Sequence, residues 1–276
     1  MFPDCRDVVR IALIEDVGTG DVTTQFTIAP ETNGVARMIV KQAGVIAGLP
    51  VVTEVYRQVD SEVQVTPLVS EGDYVEAGTV LCHIEGRAQS LLTGERVALN
   101  FVQRLSGVAT KTAQMVSLVA GTKARVVDTR KTTPGLRNLE KYAVRTGGGH
   151  NHRFGLYDAI LIKDNHIRAC GSITEAVHSA FAQAPHTMTV TVECDTLEQV
   201  DEAVQAGADI VLLDNMTLEQ LSQAVSIIDG QAAAEASGGV NADTIADIAQ
   251  TGVDVISVGA LTHSAAALDI SLDFLS

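Results

Sequence analysis

The second half of the chain alternates short runs of β-branched and apolar residues with longer amphipathic stretches. Six runs have the length of buried strands, at 124–128, 159–163, 189–193, 209–214, 232–237 and 253–259. Stretches rich in Ala, Leu and Ile show helical spacing of their apolar positions, at 172–182, 197–206, 218–228 and 242–250. This alternation predicts repeated βα units and therefore a parallel sheet.

The first part of the chain is richer in turns and short strands. Strand-like runs lie at 35–41, 63–69 and 80–84. Pro50 is well placed to begin a helix over 51–59. A helical pattern then extends from about residue 88 to residue 118, with Gly107 as a possible break. These elements predict an α/β, sandwich-like N-terminal domain.

The last units repeat at almost equal intervals. Glu193, Asp214, Ser237 and Gly259, each at the end of a predicted strand, follow one another at steps of 21, 23 and 22 residues. Because this is the length of one βα unit, the spacing favours a sheet closed, or nearly closed, into a barrel. The six visible units predict an incomplete barrel, because a complete one has eight. An open doubly wound sheet is the alternative, less favoured because no Gly-x-Gly-x-x-Gly motif follows a strand.

Composition excludes several functional classes. The 276 residues carry a formal net charge of −15, and aromatic residues make up only 4%, with no Trp. Such a chain repels phosphodiester backbones and lacks surfaces on which bases stack, so nucleic acid is not an expected partner. No apolar run approaches the ~18–20 residues that span a bilayer, and the acidic N-terminus lacks the basic region of a secretory signal. We therefore expect a cytoplasmic protein with no membrane partner.

The cysteines support the same compartment. Cys5, Cys82, Cys170 and Cys194 are widely spaced, and none forms a Cys-x-x-Cys motif. This spacing predicts free thiols in a reducing environment and indicates neither a zinc site nor a disulfide framework.

Basic residues are concentrated in one part of this acidic chain. Residues 104–168 hold 12 Lys and Arg against 4 Asp and Glu, whereas residues 169–276 hold 16 acids and no Lys or Arg. One interpretation is internal neutralisation, in which basic and acidic faces pack together and nothing is bound. The other is a pocket for a small, multiply charged anion. Charge alone does not separate the two.

Reactive and anion-binding side chains follow each predicted strand of the second half. In order along the chain they are Asp128 to Lys131; Lys163 to His166; Glu193 and Asp195; Asp214 and Asn215; Ser237 to Gly239; and Gly259. Because ligands bind where the carboxyl ends of barrel strands converge, this order predicts a site with cations on one arc, acids on the next and glycines last. Ser237-Gly238-Gly239 is suited to cradle a phosphate, and Glu193 with Asp214 suits Mg²⁺.

A glycine–histidine loop, residues 147–153, precedes the second predicted strand. His150 and His152 as a metal pair is one interpretation, weakened because no third His or thiolate is spaced to complete the site. A mobile loop without function is another. The favoured interpretation is a donor loop that closes over an anionic ligand, because Arg153 adds a two-pronged carboxylate-binding group.

Several of these motifs together make the chain resemble the quinolinate phosphoribosyltransferase family over essentially its whole length. The matching segments are Glu15 to Asp21, Glu95 to Gly107, Asp128 to Arg137, Lys141 to Arg153, Leu161 to His166, Glu193 to Asp195, Leu212 to Asn215 and Ser237 to Val240. The resemblance implies an N-terminal α/β domain over 1–106 and an incomplete six-stranded α/β barrel over 107–276, with the extreme C-terminus packing back on the first domain.

The resemblance also implies a reaction. Members of the family join quinolinate and phosphoribosyl pyrophosphate, with Mg²⁺, to give nicotinate mononucleotide, pyrophosphate and carbon dioxide on the de novo route to NAD. They work as homodimers or as hexamers of dimers, in which each site borrows residues from its neighbour.

The residue roles that the resemblance implies follow the charge of each ligand. Arg130, His152 and Arg153, with Arg104 from the partner, clamp the quinolinate carboxylates, beside Thr129. Lys131 and Lys163 neutralise the leaving pyrophosphate. Glu193 and Asp214 hold the ribose hydroxyls and the metal. The 5-phosphate is bound by Ser237, Gly238, Gly239 and Gly259.

Two other functions compete with this one. The first is a paralogue of the same fold associated with molybdenum transport, and the complete basic set of residues disfavours it. The second is a non-catalytic anion-binding barrel, which gains nothing from carboxylates in its site, so that Glu193 and Asp214 argue against it. Nicotinate, which lacks the second carboxylate, is a further substrate option.

Overall fold

A computed structural model describes residues 2–275, which fall in two compact units. Unit 1 comprises Met1–Ala113, Thr132–Gly148 and Ser264–Ser276, and unit 2 comprises Gln114–Lys131 and Gly149–His263. The domain boundaries expected from the sequence, 1–106 and 107–276, stay a prediction, because these compact units do not test them.

The elements alternate along the chain as follows. The helices are α1 (Arg6–Val17), α2 (Val22–Thr27), α3 (Leu49–Val59), α4 (Ala88–Leu118), α5 (Arg137–Thr146), α6 (Asp164–Cys170), α7 (Ile173–Gln183), α8 (Leu197–Gln205), α9 (Leu218–Ile228), α10 (Ile245–Gln250) and α11 (Ala260–His263). The strands are β1 (Asn33–Val40), β2 (Gly44–Val45), β3 (Gln64–Pro67), β4 (Tyr74–Val75), β5 (Val80–Arg87), β6 (Arg125–Val127), β7 (Ile160–Ile162), β8 (Val190–Cys194), β9 (Ile210–Asp214), β10 (Ala233–Ser237), β11 (Val255–Ser257) and β12 (Ile270–Leu275).

Unit 1 is built on an antiparallel sheet in the order β12-β1-β5-β3, with β2 and β4 paired separately. The helix predicted after Pro50 is α3, which begins at Gly48, a residue with a φ of 107° that favours glycine. Its apolar face is buried, and the Tyr56 hydroxyl donates to the carbonyl of Leu91 on α4 at 3.2 Å. A Cβ at Gly94 would lie 2.8 Å from the Tyr56 ring, so glycine allows the two helices to approach closely.

The possible break at Gly107 does not occur, because α4 continues through that residue. A Cβ at Gly107 would lie only 2.0 Å from the carbonyl oxygen of Ala266 in the C-terminal segment of unit 1. The glycine therefore permits close packing inside a continuous helix and does not end it.

Unit 2 confirms the predicted incomplete barrel. Its six strands are parallel and pair in the order β6-β11-β10-β9-β8-β7, so the first strand lies beside the last and the sheet stays open between β6 and β7. A single bridge joins Val127 to His150 at the open edge. Alternate residues such as Val211 and Leu213 are fully buried.

Hydroxyl side chains begin the helices that cover this sheet. Ser172, Thr196 and Thr217 each accept from a backbone N–H three residues on, at the starts of α7, α8 and α9. Helices α1, α2, α5, α6 and α11 were not predicted. Helices α6 and α11 are short and directly follow strands of the barrel, so no apolar period is long enough to mark them.

Within residues 2–275, no helix has the length and apolar content needed to cross a membrane. Cys5, Cys82 and Cys194 are buried free thiols, and Cys170 is an exposed one. Burial raises the pKa of Cys194 to about 12, so this cysteine beside Glu193 is a neutral packing residue.

Candidate active site

A cavity of about 340 Å³ opens at the carboxyl ends of the parallel strands of unit 2. It is lined by Thr129, Arg130, Lys131, His152, Arg153, Leu161, Lys163, Glu193, Leu212, Asp214, Glu235, Ser237 and Ser257. An adjoining cavity of about 400 Å³ shares five of these residues and adds Asn215, Gly238, Gly239, Val240, Gly259, Ala260 and His263. Together they are called the barrel cavity below.

A larger cavity, of about 580 Å³, lies in unit 1 beside β1, β3 and β5. Its charged lining residues are Glu62 and Glu85, with no cation among them. It therefore does not suit the anionic ligands that the charge pattern predicts.

The cationic side of the barrel cavity comes from the end of β6, the loop before β7 and the end of β7. Arg153 donates through Nη1 to the carbonyl of Ala159 at 3.0 Å, which fixes its guanidinium at this edge. Burial, and after it the charge of Arg130, lowers the pKa of Arg153. Arg153, partly desolvated, and Arg130 thus line the same cavity, an arrangement that favours a ligand with more than one negative charge.

A buried carboxylate holds the glycine–histidine loop in place. Asp128 is fully buried and accepts from the Asn151 side chain at 2.5 Å and from the His152 backbone N–H at 3.0 Å. The His150 N–H also donates to the carbonyl of Val126 at 2.9 Å. His152 consequently lines the cavity, whereas His150 is exposed and does not. The loop therefore runs beside β6 in a fixed position.

The acidic side comes from the ends of β8 and β9. Glu193 Oε2 is in direct contact with Lys163 Nζ, so the two sides of the cavity meet at an ion pair. Asp214 Oδ2 accepts from the Asn215 side chain at 2.7 Å. This pairing orients the Asp214 carboxylate at the mouth shared by both cavities.

The carboxylates fit a metal ion that arrives with a ligand. Among the described residues, no group of three or more His, Cys, Asp or Glu is arranged to hold a metal by itself. Mg²⁺ keeps several waters and is commonly held by one or two carboxylates together with phosphate oxygens. Glu193 and Asp214, at the ends of neighbouring strands, match that requirement.

The end of β10 forms a turn that only glycine adopts easily. Gly238 and Gly239 have φ values of 94° and 61°, and a Cβ at Gly238 would lie 2.2 Å from Asn215 Oδ1. At Gly259 a Cβ would lie 3.1 Å from the Lys131 side chain, so this glycine makes room for the lysine. Successive backbone N–H groups in such a turn bind phosphate.

Among the residues to which the resemblance assigns a role, Arg104 does not line the barrel cavity. It belongs to unit 1, where its Nε and Nη2 donate to Glu140 Oε1 at 3.0 and 2.7 Å, and its Nη1 donates to the carbonyl of Ala265 at 2.8 Å. The other residues with an implied role line the barrel cavity, whereas the strand-end residues Asp128, Asp164, Asn165, His166 and Asp195 do not.

Sequence reasoning missed several lining residues, of which Glu235, Ser257 and His263 are polar. Glu235 had a detectable signal, because it is the one charged residue in the alanine-rich β10 and shares the face of Ser237. His263 lies one helical turn after Gly259. Leu161 and Leu212 supply apolar walls that periodicity assigns to the core.

Comparison with known proteins places these features in a family. Residues 21–106 match the model of the quinolinate phosphoribosyl transferase N-terminal domain, and residues 108–273 match that of the C-terminal domain.

Individual relatives agree with the family models. A protein of Bacillus subtilis named probable nicotinate-nucleotide pyrophosphorylase (carboxylating) is 46% identical, over 94% of this chain and 90% of its own. The Mycobacterium leprae nicotinate-nucleotide pyrophosphorylase (carboxylating) is 44% identical over 99% of this chain and 100% of its own. The solved structure of the Francisella tularensis nicotinate-nucleotide pyrophosphorylase superposes with a TM-score of 0.93 at 43% identity, covering 98% of this chain and 95% of that one.

Proposed function

Because the chain belongs to the quinolinate phosphoribosyltransferase family, we propose that it transfers the phosphoribosyl group of phosphoribosyl pyrophosphate to quinolinate, with decarboxylation. The products are nicotinate mononucleotide, pyrophosphate and carbon dioxide, in de novo NAD biosynthesis. The observation that carries the proposal is the barrel cavity, where a guanidinium-rich side faces a carboxylate pair and a Ser-Gly-Gly turn. The molybdenum-associated paralogue and the non-catalytic barrel are not favoured.

Quinolinate is a dianion and binds on the cationic side. Arg130 and Arg153 engage its two carboxylates, with His152 and Thr129 beside them. Two guanidinium groups held close together repel each other when the site lacks an anion, and the ligand relieves that repulsion. This arrangement orients the ring nitrogen toward the acidic side.

Pyrophosphate leaves between the two lysines. The bond from the pyridine nitrogen to the anomeric carbon forms as the bond from that carbon to the pyrophosphate oxygen breaks. Lys131 and Lys163 neutralise the charge that grows on the departing group. Lys163 exchanges its contact with Glu193 for contact with the leaving group, so the pair holds the lysine ready before the ligand arrives.

The phosphoribosyl group occupies the acidic and glycine-rich side. The turn Ser237-Gly238-Gly239, with Gly259, binds the 5-phosphate, while Glu193 and Asp214 hold the ribose hydroxyls and face the positive charge that develops at the anomeric carbon. When bound there, Mg²⁺ neutralises pyrophosphate oxygens, and Glu193 with Asp214 are the residues that would hold it.

No side-chain nucleophile is needed, because the pyridine nitrogen attacks. Catalysis is therefore positioning together with electrostatic stabilisation. After the attack the ring nitrogen is cationic, and its charge stabilises the electron pair that stays on the adjacent carbon when the carboxylate departs as carbon dioxide. A proton then occupies the carbon that carried the carboxylate.

The test of the proposal is a product balance. Purified protein with quinolinate, phosphoribosyl pyrophosphate and Mg²⁺ should release nicotinate mononucleotide, pyrophosphate and carbon dioxide in equal amounts. Lys131→Ala protein prepared in parallel should release little of any product. Hydrolysis of phosphoribosyl pyrophosphate without nicotinate mononucleotide, or a nucleotide that retains both carboxylates, would contradict the proposed reaction.

We further propose that the enzyme is a homodimer, or a hexamer of dimers, in which Arg104 reaches the site of its neighbour. Support comes from its place in unit 1, where Glu140 holds its guanidinium, and from its absence among the residues that line the barrel cavity of its own chain. The free thiols are compatible with a reducing cytoplasm, which we propose as the enzyme's location.

Subunit mixing tests the shared site. In a mixed dimer of Arg104→Ala and Lys131→Ala chains, one site in two contains only native residues and should recover activity. If heterodimers form and activity stays absent, Arg104 does not act in its neighbour's site.

A further inference from the structure

Glu235 is a carboxylate in an apolar layer of the barrel. It lies at the centre of β10, where the strand register places Leu212 of β9 on one side and Val255 of β11 on the other. Its side chain is only 3% exposed. Interior positions of such barrels are normally filled by branched apolar side chains, so a charged residue here is costly.

The hydrogen bonds of Glu235 are incomplete. Across residues 2–275, no donor forms a hydrogen bond to its Oε1, although this atom is buried. The ring of His152 lies beside this atom, with Nε2 at 3.4 Å from Oε1 but without hydrogen-bond alignment. A buried carboxylate in this state destabilises the fold, so its presence indicates a functional role.

His152 is held from its other edge. The Arg153 backbone N–H donates to His152 Nδ1 at 2.7 Å, which requires a lone pair on that nitrogen. The ring proton is therefore on Nε2, the atom that faces Glu235. The imidazole thus lies between the buried carboxylate and the main chain of the arginine proposed to bind quinolinate.

We propose that Glu235 is a positioning residue for substrate binding. It acts by holding the neutral, Nε2-protonated ring of His152. The held ring fixes the Arg153 main chain through Nδ1, and so directs the Arg153 guanidinium into the cavity. This role rests on the proposed function, since the group positioned is the one that binds a quinolinate carboxylate. The carboxylate takes no part in bond making or breaking.

Nitrogen-15 NMR of protein with labelled histidines tests the contact between Glu235 and His152 in the absence of substrate. In the native protein, the His152 signals, assigned by their loss in His152→Gln, should report a protonated Nε2 and an unprotonated Nδ1. Glu235→Gln keeps an acceptor oxygen and should preserve that pattern. Glu235→Leu removes the acceptor, and the two nitrogens should shift toward an average of both tautomers.

Kinetics and stability separate positioning from simple packing. Glu235→Leu should lower kcat/KM for quinolinate by about 10- to 100-fold, because misplacement by about 1 Å costs on the order of 100-fold. KM for phosphoribosyl pyrophosphate should stay within about twofold and Tm should not fall, because an apolar side chain replaces an unsatisfied buried charge. Glu235→Gln should retain most activity. In a His152→Gln background, Glu235→Leu should cause no further loss.

Thr191 provides the matched control. It is 3% exposed and lines a neighbouring cavity of about 360 Å³ together with Glu235, His152 and Arg153, yet it does not line the barrel cavity. Thr191→Val should therefore leave both substrates' kinetics unchanged.

Three results would overturn the positioning role. One is an unchanged His152 spectrum in Glu235→Leu. Another is a lower Tm with equal losses for both substrates, which is the behaviour of a packing residue. The third is a loss of kcat/KM for quinolinate in Glu235→Leu that is fully additive with the loss in His152→Gln. If the native protein has no turnover, that result contradicts the proposed function only. The NMR spectra and Tm values still test the contact between Glu235 and His152.

Discussion

The two units each bury a glutamate, and they complete its hydrogen bonds to different degrees. In unit 1, Glu140 accepts from Arg104 through two nitrogens, and from the backbone and hydroxyl of Thr133 at 3.0 and 2.8 Å. In unit 2, Glu235 Oε1 accepts no hydrogen bond from the described residues. The comparison indicates that a buried glutamate with complete hydrogen bonds holds the fold, whereas one with incomplete hydrogen bonds beside the barrel cavity is retained for function.

The largest expected effect is on turnover in unit 2. Lys163→Ala should lower kcat by about 10³-fold, because the lysine faces charge that grows as pyrophosphate leaves. Tm should change little, since the Lys163 side chain is 43% exposed. Steady-state kinetics and thermal unfolding of the same preparation check both statements.

Lys123→Ala is the control for that variant. It removes the same charge from a lysine paired with Asp254 at 2.7 Å, and Lys123 does not line the barrel cavity. Equal losses of kcat in the two variants would show that bulk charge, and not the position of Lys163, drives turnover.

The next effect is on stability in unit 1. Glu140→Ala should lower the free energy of unfolding by about 3 kcal/mol, because it leaves the Arg104 charge without its carboxylate. Asp7→Ala removes an exposed carboxylate that lies 3.5 Å from Arg10, and should cost less than about 0.5 kcal/mol. Urea unfolding measures both. Similar losses of unfolding free energy in the two variants would contradict a structural role for the contacts of Glu140 with Arg104 and Thr133.

A smaller effect on binding is expected at the glycine turn. Gly238→Ala should raise KM for phosphoribosyl pyrophosphate by about tenfold, because the φ of 94° and the approach to Asn215 cost about 1–3 kcal/mol. Gly230→Ala is the control, with a φ of 73° and nothing within 4 Å of its added Cβ. An effect of Gly230→Ala on KM equal to that of Gly238→Ala would assign the change to general strain.

The smallest expected effect is a pH dependence in unit 1. The Arg87 side chain, and then Ser90, lower the pKa of Asp60 from 3.8 to about 2. A depressed carboxyl pKa contributes stability that is present above pH 3.8 and is lost as the pH falls toward 2. Asp60→Asn should therefore be less stable than the native protein at pH 6, with the difference shrinking at pH 2–3. A difference that is constant with pH would contradict the linkage.

The six strands of unit 2 and their polar ends were predictable because both signals are local. A buried parallel strand is a short β-branched run, and the residue that ends it enters the cavity by geometry alone. Helix α4 was predicted over its full length for the same reason, since its apolar period persists across many turns.

Contacts between distant segments were not predictable. Glu235 meets His152 through the barrel interior, and Asn215 approaches Gly238 across two strands, so neither pair has a sequence signal. Strand β12 pairs with β1 from the other end of the chain, and here the resemblance, not the residue pattern, predicted that the C-terminus returns to the first domain. At Gly107 a local signal misled the prediction. Glycine weakens a helix and indicated a break, but here it allows close packing within a continuous helix.

The central claim is that the cationic side of the barrel cavity binds the second carboxylate of quinolinate. The most direct test is kcat/KM for quinolinate and for nicotinate under identical Mg²⁺, because the two acids differ only in that carboxylate. A site built around a charged partner rejects an analogue lacking it by about 10⁴-fold or more, so quinolinate should be preferred by that factor. Values within about tenfold of each other would contradict the account.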